Sequence, residues 1–229
     1  MSVALTRRAF IASMPIALAG CVSGLRQPVP AAAIPVAPQI PDFYRQMYGP
    51  IYNEPFPIGA VDLTGLDPRY YRQEVFYATP EPTGTIVVDT AARYLYLVGE
   101  NSRALRYGVG VGLEGLAFEG VGVIQRKAMW PSWRPTTSMI AREPERYGPL
   151  ADGMPPGPMN PLGSRALYLY RNGVDTFFRI HGSMEVASIG RSVSSGCIRL
   201  LNQDVIDLYG RVPIGSRVVV VQQGGAFPV

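Results

Sequence analysis

Histidine, cysteine and lysine are scarce in this 229-residue chain. His181 is the only histidine, Lys127 the only lysine, and Cys21 and Cys197 are the only cysteines. One histidine without a second cysteine nearby excludes the usual zinc sets, and the scattered carboxylates form no paired-carboxylate hydrolase motif. The inventory therefore allows one Cys/His pair for nucleophilic catalysis, Cys197 with His181, and implies no metal and no cofactor.

The composition indicates a globular protein with one catalytic core. The chain is 47% hydrophobic and 17% charged, with a formal net charge of +4, which is too apolar for a disordered protein and sufficient for one well-buried domain. No basic run or patch-forming motif accompanies the positive charge. Nucleic acid is therefore excluded as a partner.

The first 20 residues predict an export signal. Arg7 and Arg8 precede an apolar stretch from Ile11 to Ala19, which is too short to span a bilayer as a helix. The paired arginines resemble a twin-arginine signal, and the residues ending at Cys21 resemble a lipobox, in which that cysteine is lipidated. An ordinary cleaved signal is the alternative. We expect a periplasmic protein with a lipid anchor, and the non-acidic Val22 favours the outer membrane.

A lipidated Cys21 would leave Cys197 as a thiol in an oxidising compartment. Two alternatives remain at this point, a disulfide between the two cysteines and a buried, inert Cys197. The residues before Cys197 are Ser194, Ser195 and Gly196, which make a poor core segment.

Composition divides the rest of the chain into four segments. Residues 21–41 are rich in proline and alanine and predict a semi-rigid linker, which at about 3.1 Å per residue would reach roughly 60 Å from a membrane. Residues 42–82 carry many tyrosines and prolines and predict an irregular extension. The catalytic core is expected over residues 83–223, followed by a tail at 224–229.

Short apolar runs rich in β-forming residues predict a mainly β core. The pair Asn172 and Gly173 predicts a type I′ hairpin between two of the strands. One helix is expected, with Asn202 as its N-cap and Gly210 at its end. The predicted strands cover residues 86–88, 94–98, 105–111, 120–126, 166–171, 174–181 and 217–222.

A long segment between residues 129 and 163 is dense in proline, glycine and aromatic residues. Loops of this length in compact domains are usually lids or binding loops, so we expect a lid or substrate wall, with Trp130 as a substrate contact and a short helix near 137–146. The alternative is a surface loop pinned by its prolines, which packs Trp130 and Trp133.

Residues 110–115 match the dinucleotide fingerprint G-x-G-x-x-G. That motif needs a following helix whose N-terminus binds pyrophosphate, but further glycines and short apolar segments follow here. These glycines are therefore interpreted as strand and turn positions.

Several motifs occur in a fixed order over roughly residues 85–221. They are Asn160-Pro161-Leu162-Gly163 followed by residues 165–169, then His181-Gly182, Ile189-Gly190, the run from Ser194 to Arg199, and Asn202-x-Asp204. This order of motifs resembles the L,D-transpeptidase (YkuD) family, although Ser195 stands directly before the Gly-Cys pair, where many members have histidine. The resemblance implies a mainly β (β-rich α+β) sandwich with one or two short helices and a long lid loop over the cysteine.

The resemblance also implies site roles. Cys197 would be the nucleophile and His181 its base, with the second ring nitrogen of the histidine oriented by a backbone carbonyl. The N-H groups of Gly196 and Cys197 are natural donors to an oxyanion. Arg199 is a candidate for binding a substrate carboxylate, with a structural ion pair to Asp204 as its alternative. Ser194 and Ser195 complete the expected substrate contacts.

The implied function is a two-step acyl transfer on peptidoglycan stem peptides. The cysteine would form a thioester with the third residue of a tetrapeptide stem and release D-alanine, and an amine of another stem or of an envelope protein would then accept the acyl group. One alternative within the same fold is an L,D-carboxypeptidase or endopeptidase that uses water as the acceptor. Another, from a different class, is a non-catalytic peptidoglycan-binding lipoprotein.

Overall fold

The described fold is dominated by a single large β-sheet. The computed structural model describes residues 39–193 and 197–222, most of them in a compact unit that begins at Ile40. The expected signal, nearly all of the linker, the tail and residues 194–196 lie outside the described residues. No helix in the described part of the chain is long and apolar enough to cross a membrane.

Eleven strands and five α-helices occur in the described ranges. In the sheet, the strands lie in the order β1-β4-β3-β2-β11-β6-β7-β8-β10-β5-β9. The strands are β1 (Gln73–Phe76), β2 (Ile86–Asp89), β3 (Tyr94–Val98), β4 (Arg103–Gly108), β5 (Gly110–Gly112), β6 (Gly120–Met129), β7 (Arg165–Arg171), β8 (Val174–Ser183), β9 (Ser192–Val193), β10 (Ile198–Leu201) and β11 (Arg217–Val221), and the helices are α1 (Asp42–Met47), α2 (Leu113–Leu116), α3 (Thr137–Arg142), α4 (Pro144–Tyr147) and α5 (Asn202–Arg211).

The sheet curls around one main hydrophobic core. Ile86 and Leu95, from strands in one half of the sheet, share this core with Phe178 and Ile198 from the other half. Val87 lies on the opposite face of β2 and belongs to a second, smaller cluster, because successive side chains of a strand point to opposite faces. The predicted mainly β architecture is confirmed, although it contains more short helices than expected.

The predicted strands are present, with two informative differences. The strand expected over residues 105–111 is two strands, β4 and β5, interrupted at Val109. Strand β10, which directly follows Cys197, was not predicted, because four apolar and basic residues before a helix give no clear alternation. The type I′ prediction agrees with the positive φ angles of Asn172 (51°) and Gly173 (77°).

Residues 42–82 pack on the core, and they contain regular structure where an irregular extension was expected. Strand β1 adds to the sheet beside β4. The Gln203 side chain donates to the carbonyls of Gly49 and Gly59 at 3.1 and 2.9 Å. A Cβ atom at Gly108 would lie 2.5 Å from Tyr70 Cβ, so a glycine is needed where the extension meets β4.

The prediction that Asn202 caps the last helix was wrong. Helix α5 starts at Asn202 and has no side-chain cap, because Asn202 Oδ1 accepts hydrogen bonds from the backbone N-H and the hydroxyl of Ser164, both at 2.9 Å. Gly210 lies inside the helix, which ends one residue later at Arg211. Asn202 therefore ties α5 to the start of β7, beside the histidine strand.

Candidate active site

Strands β8 and β10 bring the predicted Cys/His pair to one place. They pair in parallel, with Ile198 opposite Ile180 and Arg199 opposite His181, so Cys197 enters β10 beside the end of the histidine strand. Both side chains line a cleft of about 1720 Å³. The chain between them turns back so that one sheet holds both groups.

Cys197 lies at the bottom of this cleft, with 5% of its surface exposed. It forms no disulfide within the described residues. Its backbone is fixed by β5, since Gly112 N-H donates to the Cys197 carbonyl at 2.9 Å. Its thiol donates to the carbonyl of Phe177 at 3.3 Å. The thiol is thus buried among core residues and also faces the cleft.

The acceptor carbonyl belongs to an unusual residue. Phe177 has a φ angle of 58°, which is uncommon for a bulky side chain, and lies where the register of β7 and β8 shifts. The Asp175 carboxylate holds this turn by accepting from Phe177 N-H at 2.8 Å. Strained backbone of this kind concentrates at functional sites, and here it presents a carbonyl to the Cys197 thiol.

His181 is held in the tautomer that a base requires. Its Nδ1 lies 2.9 Å from the carbonyl oxygen of Gly182, and because a carbonyl can only accept, Nδ1 carries the proton and donates it. The lone pair is therefore on Nε2. This arrangement agrees with the expectation that a backbone carbonyl, and not an acid side chain, orients the ring.

The pKa of His181 is lowered to about 4, mainly by burial and in smaller part by the positive charges of Arg199 and Arg179. The hydrogen bond to Gly182 acts in the opposite direction. At neutral pH the imidazole is consequently neutral and ready to accept a proton. The thiolate–imidazolium pair would then form during the reaction and would not be the resting state.

Because His181 is the only histidine, its pKa can be measured directly. We expect its imidazole NMR signals to titrate with an apparent pKa near 4, well below the ordinary value of about 6.5. Arg199→Met should raise this pKa by removing one nearby positive charge. A wild-type midpoint at or above the ordinary value would contradict the neutral resting state.

Arg199 lines the cleft, as predicted, but its ion-pair partner is not the expected one. Its guanidinium contacts the exposed Glu185 carboxylate at 2.6 Å, so the alternative pairing with Asp204 was wrong. Asp204 is fully buried and lies instead near Arg72, at 3.7 Å, and accepts from the Tyr48 hydroxyl at 3.2 Å. Burial raises the pKa of Asp204 to about 7 despite the Arg72 charge. Asp204 thus holds the N-terminal extension, away from the cleft.

Trp130 is not among the residues that line the cleft, contrary to its predicted role. Its side chain is buried, and its indole N-H donates to the Glu54 carboxylate at 2.8 Å. Arg165 also binds that carboxylate, so Trp130 helps to attach the extension to the core. Trp133 lines the cleft in its place.

Four of the predicted site residues cannot be placed. Ser194, Ser195 and Gly196 lie in the gap between the described ranges, and the expected lipidation residue, Cys21, precedes them. The oxyanion and substrate roles of the first three therefore stay predictions, as does lipidation.

The segment between β6 and β7 forms a wall of the cleft. Its helix α3 falls within the predicted helical stretch, and residues 132–139 and 150–162 contribute much of the lining. Asn160 fixes the end of this wall by donating to the carbonyl of Pro155 at 2.9 Å and accepting from Leu162 N-H at 3.0 Å. The segment thus occupies the position expected of a substrate wall.

The glycines at 110–115 have a structural role. Strand β5 is followed by the four-residue helix α2 and then by β6, which is not the strand, turn and long helix that the dinucleotide fingerprint needs. Gly110 lies close to Ser188, whose carbonyl a Cβ atom at position 110 would approach to 2.5 Å. Gly110 and Gly112 lie in β5, which pairs with β10 and holds the backbone of Cys197 in the sheet.

Residues 83–220 match the L,D-transpeptidase catalytic domain, YkuD, which covers more than half of the chain. The chain belongs to this family. The matched region contains Cys197, His181 and all of the strands that position them. It leaves out residues 42–82, so the packed extension lies outside the family domain.

Known relatives of this L,D-transpeptidase family member agree with the assignment. Probable L,D-transpeptidase ErfK/SrfK of Escherichia coli K12 is 35% identical over 60% of this chain, and the match spans 44% of its own length. A putative L,D-transpeptidase of Fuscovulum blasticum is 37% identical over 59% of this chain and 68% of its own. The matched region thus spans less than half of the Escherichia coli relative.

Among solved structures, a Brucella melitensis protein titled a probable carnitine operon oxidoreductase is 48% identical over 70% of this chain and 99% of its own, with a TM-score of 0.48. An L,D-transpeptidase from Mycobacterium smegmatis is 18% identical over 60% of this chain and 58% of its own, with a TM-score of 0.47.

Arg179, Phe177 and Arg126 are among the cleft residues that the sequence interpretation missed. Arg179 shares the face of His181 because it lies two residues earlier in the strand, so the period of two could have identified it. Phe177 and Arg126 also line the cleft. Their roles depend on a strand irregularity and on cross-strand neighbours, which no local motif reveals.

Proposed function

We propose that this protein is a peptidoglycan L,D-transpeptidase that uses Cys197 as its nucleophile. The observation that carries the proposal is the joint placement of Cys197 and a neutral, carbonyl-oriented His181 in one cleft. Membership in the L,D-transpeptidase catalytic domain family supports it. The substrate would be a tetrapeptide stem with a diamino acid as its third residue.

In the first step, His181 Nε2 takes the thiol proton as Cys197 Sγ attacks the carbonyl carbon of the third residue. The Phe177 carbonyl would release the thiol at this point. The tetrahedral oxyanion would be stabilised by backbone N-H groups, each commonly contributing about 3 kcal/mol. The C-N bond to the terminal D-alanine then breaks, the imidazolium donates its proton to the leaving amine, and a thioester remains on Cys197.

In the second step, the amine of an acceptor attacks the thioester. The neutral imidazole accepts a proton from this amine and returns it to the departing sulfur of Cys197, which restores the resting enzyme. An amine on another stem would give a 3→3 crosslink, and a lysine of an envelope protein would give an attached protein. Thioesters react readily with amines and more slowly with water, so this chemistry suits transfer better than hydrolysis.

Product analysis distinguishes the acceptors. The full chain is incubated with tetrapeptide-containing muropeptides, and the products are followed by mass spectrometry. Dimers formed with loss of D-alanine are expected. Tripeptides without dimers would identify the hydrolase of the same fold, and binding without any turnover would identify a non-catalytic peptidoglycan-binding protein.

We further propose that the protein is an exported lipoprotein in the periplasm, attached to a membrane through Cys21. The support is the apolar stretch and the lipobox-like residues that end at this cysteine. Metabolic labelling with a lipid precursor should mark the full chain. The label should vanish in Cys21→Ala, and label retained in that variant would contradict the anchor.

A further inference from the structure

The lining of the cleft contains more positively charged than negatively charged side chains. Two of the arginines that line it, Arg179 and Arg199, are held by carboxylates, at Asp175 and Glu185 respectively. The cleft as a whole therefore favours an anionic ligand. The described arginines in its lining are Arg126, Arg134, Arg146, Arg179 and Arg199, and the acidic residues are Asp152 and Glu185.

Arg146, Arg179 and Arg199 pair with carboxylates, whereas Arg134 donates instead to the backbone carbonyl of Asp152 at 3.1 Å. Arg126 is exposed, and no carboxylate in the described parts of the chain lies within ion-pair distance of it. Its guanidinium carbon lies 4.4 Å from the centroid of the Tyr168 ring. Asp175 is already occupied, because its two carboxylate oxygens accept from the two terminal nitrogens of Arg179 at 2.6 and 2.7 Å.

The sheet places Arg126 in a row that leads to the nucleophile. Arg126 pairs with Tyr168 across β6 and β7, and Tyr168 pairs with Arg179 across β7 and β8. Arg179 Cζ lies 4.5 Å from the same tyrosine ring. The parallel register of β8 and β10 then continues this row to Cys197, one residue before Ile198.

The strand spacing along this row gives the approximate distance from the Arg126 guanidinium to the strand of Cys197. Neighbouring strands lie about 4.8 Å apart, so a guanidinium over the ring on β7 is on the order of 10 Å from the strand of Cys197, two strands away. An extended chain covers about 3.3–3.6 Å per residue. A peptide whose reacting carbonyl lies at the thiol can therefore bring to this point a carboxylate that branches from the preceding residue, because one residue length plus an extended side chain spans on the order of 10 Å.

We propose that Arg126, held against Tyr168, binds a carboxylate of the donor stem on the N-terminal side of the reacting residue. The inference rests on the proposed function. A guanidinium packed on an aromatic face keeps its N-H edge available, and the two-pronged geometry of that edge matches a carboxylate. Arg126 thus selects acidic stems and aligns them along the row toward Cys197.

The test compares two synthetic tetrapeptides that differ in one group. One carries a free carboxylate at its second residue, and the other carries an amide there. Equilibrium binding is measured to the full chain with Cys197→Ala, so that no turnover is required. We expect the acidic peptide to bind about 5- to 10-fold more tightly, and added salt to reduce this preference.

In a Cys197→Ala, Arg126→Met double variant, the preference should fall to near unity. Arg126→Lys should retain part of it, because the charge stays while the planar guanidinium is lost. The matched control is Arg171→Met, since Arg171 also stacks on an aromatic ring, Phe118 at 4.3 Å, but does not line the cleft. This control should keep the full preference.

An unchanged preference in the Arg126→Met double variant, or an equal loss in the Arg171→Met control, would overturn the inference and leave the transpeptidase proposal intact. Equal binding of the two peptides to the Cys197→Ala chain that retains Arg126 would also overturn the inference and leave the transpeptidase proposal intact. If neither peptide binds, the proposed function itself is contradicted, and the carboxylate subsite with it.

Discussion

Replacing Cys197 with alanine will abolish transpeptidation, with a fall in turnover of about 10⁴-fold or more, the scale seen when a catalytic nucleophile is removed. The thiol is the only group in the described cleft that can form the thioester, and the variant would leave His181 without a proton to accept. Product formation from tetrapeptide muropeptides, followed by mass spectrometry, measures the loss. Circular dichroism should show an unchanged fold, since a methyl group replaces a small side chain at the edge of the core.

The chain supplies a matched control for this variant, because it has only one other cysteine. Cys21→Ala also removes a thiol or its lipid, but Cys21 precedes the described catalytic unit. Its turnover on soluble muropeptides should equal that of the wild type. Full activity in Cys197→Ala, or an equal loss in Cys21→Ala, would contradict the assignment of the nucleophile.

Replacing His181 with glutamine will lower turnover by about 10²- to 10⁴-fold at neutral pH, the usual contribution of a positioned general base. Glutamine occupies a similar volume but cannot accept the thiol proton. The defect should shrink as the pH rises, because solvent base then takes the thiol proton in place of His181. The measurement is the rate of D-alanine release from about pH 5 to about pH 9.5.

This pH dependence separates a catalytic from a structural role for His181. If the variant only disturbed the buried site, its defect would not depend on pH, and its thermal unfolding temperature would fall with its activity. A constant defect across the pH range would contradict the role of His181 as the base. The wild-type rate should hold down to about pH 5, because the pKa of His181 is about 4.

Local sequence was sufficient for most of the strands and for the pairing of Cys197 with His181. The alternation of apolar residues and the Asn172-Gly173 turn each depend on only a few consecutive residues. The scarcity of histidine and cysteine left one possible Cys/His pair. The carbonyl that orients His181 was also anticipated, by resemblance, and Gly182 provides it. These features depend on short-range physics or on residue types alone.

The errors concern residues whose partners are distant in the chain. Asn202 has the right type for a helix cap, but Ser164, 38 residues earlier, competes for its oxygen. Trp130 is drawn into the core by Glu54, 76 residues away. Pairings of this kind follow from the sheet order, which no local pattern encodes.

The extension at residues 42–82 illustrates the same limit. Its tyrosines and prolines suggested an irregular segment, yet Tyr48, Arg72 and Glu54 contact buried groups of the catalytic domain. The contacts with Asp204 and Asp207 reach α5, which follows β10 directly. The extension therefore supports the site from behind, although the family domain begins after it.

The most direct test of the account is the mass of the enzyme during turnover. The full chain is mixed with a tetrapeptide stem in the absence of an amine acceptor, quenched in acid, and examined by intact-mass and peptide-mapping mass spectrometry. The account predicts one added acyl group, equal to the stem without its terminal D-alanine, on the peptide that contains Cys197, with one equivalent of D-alanine released. An unmodified Cys197 despite D-alanine release, or an acyl group on any other residue, would contradict it.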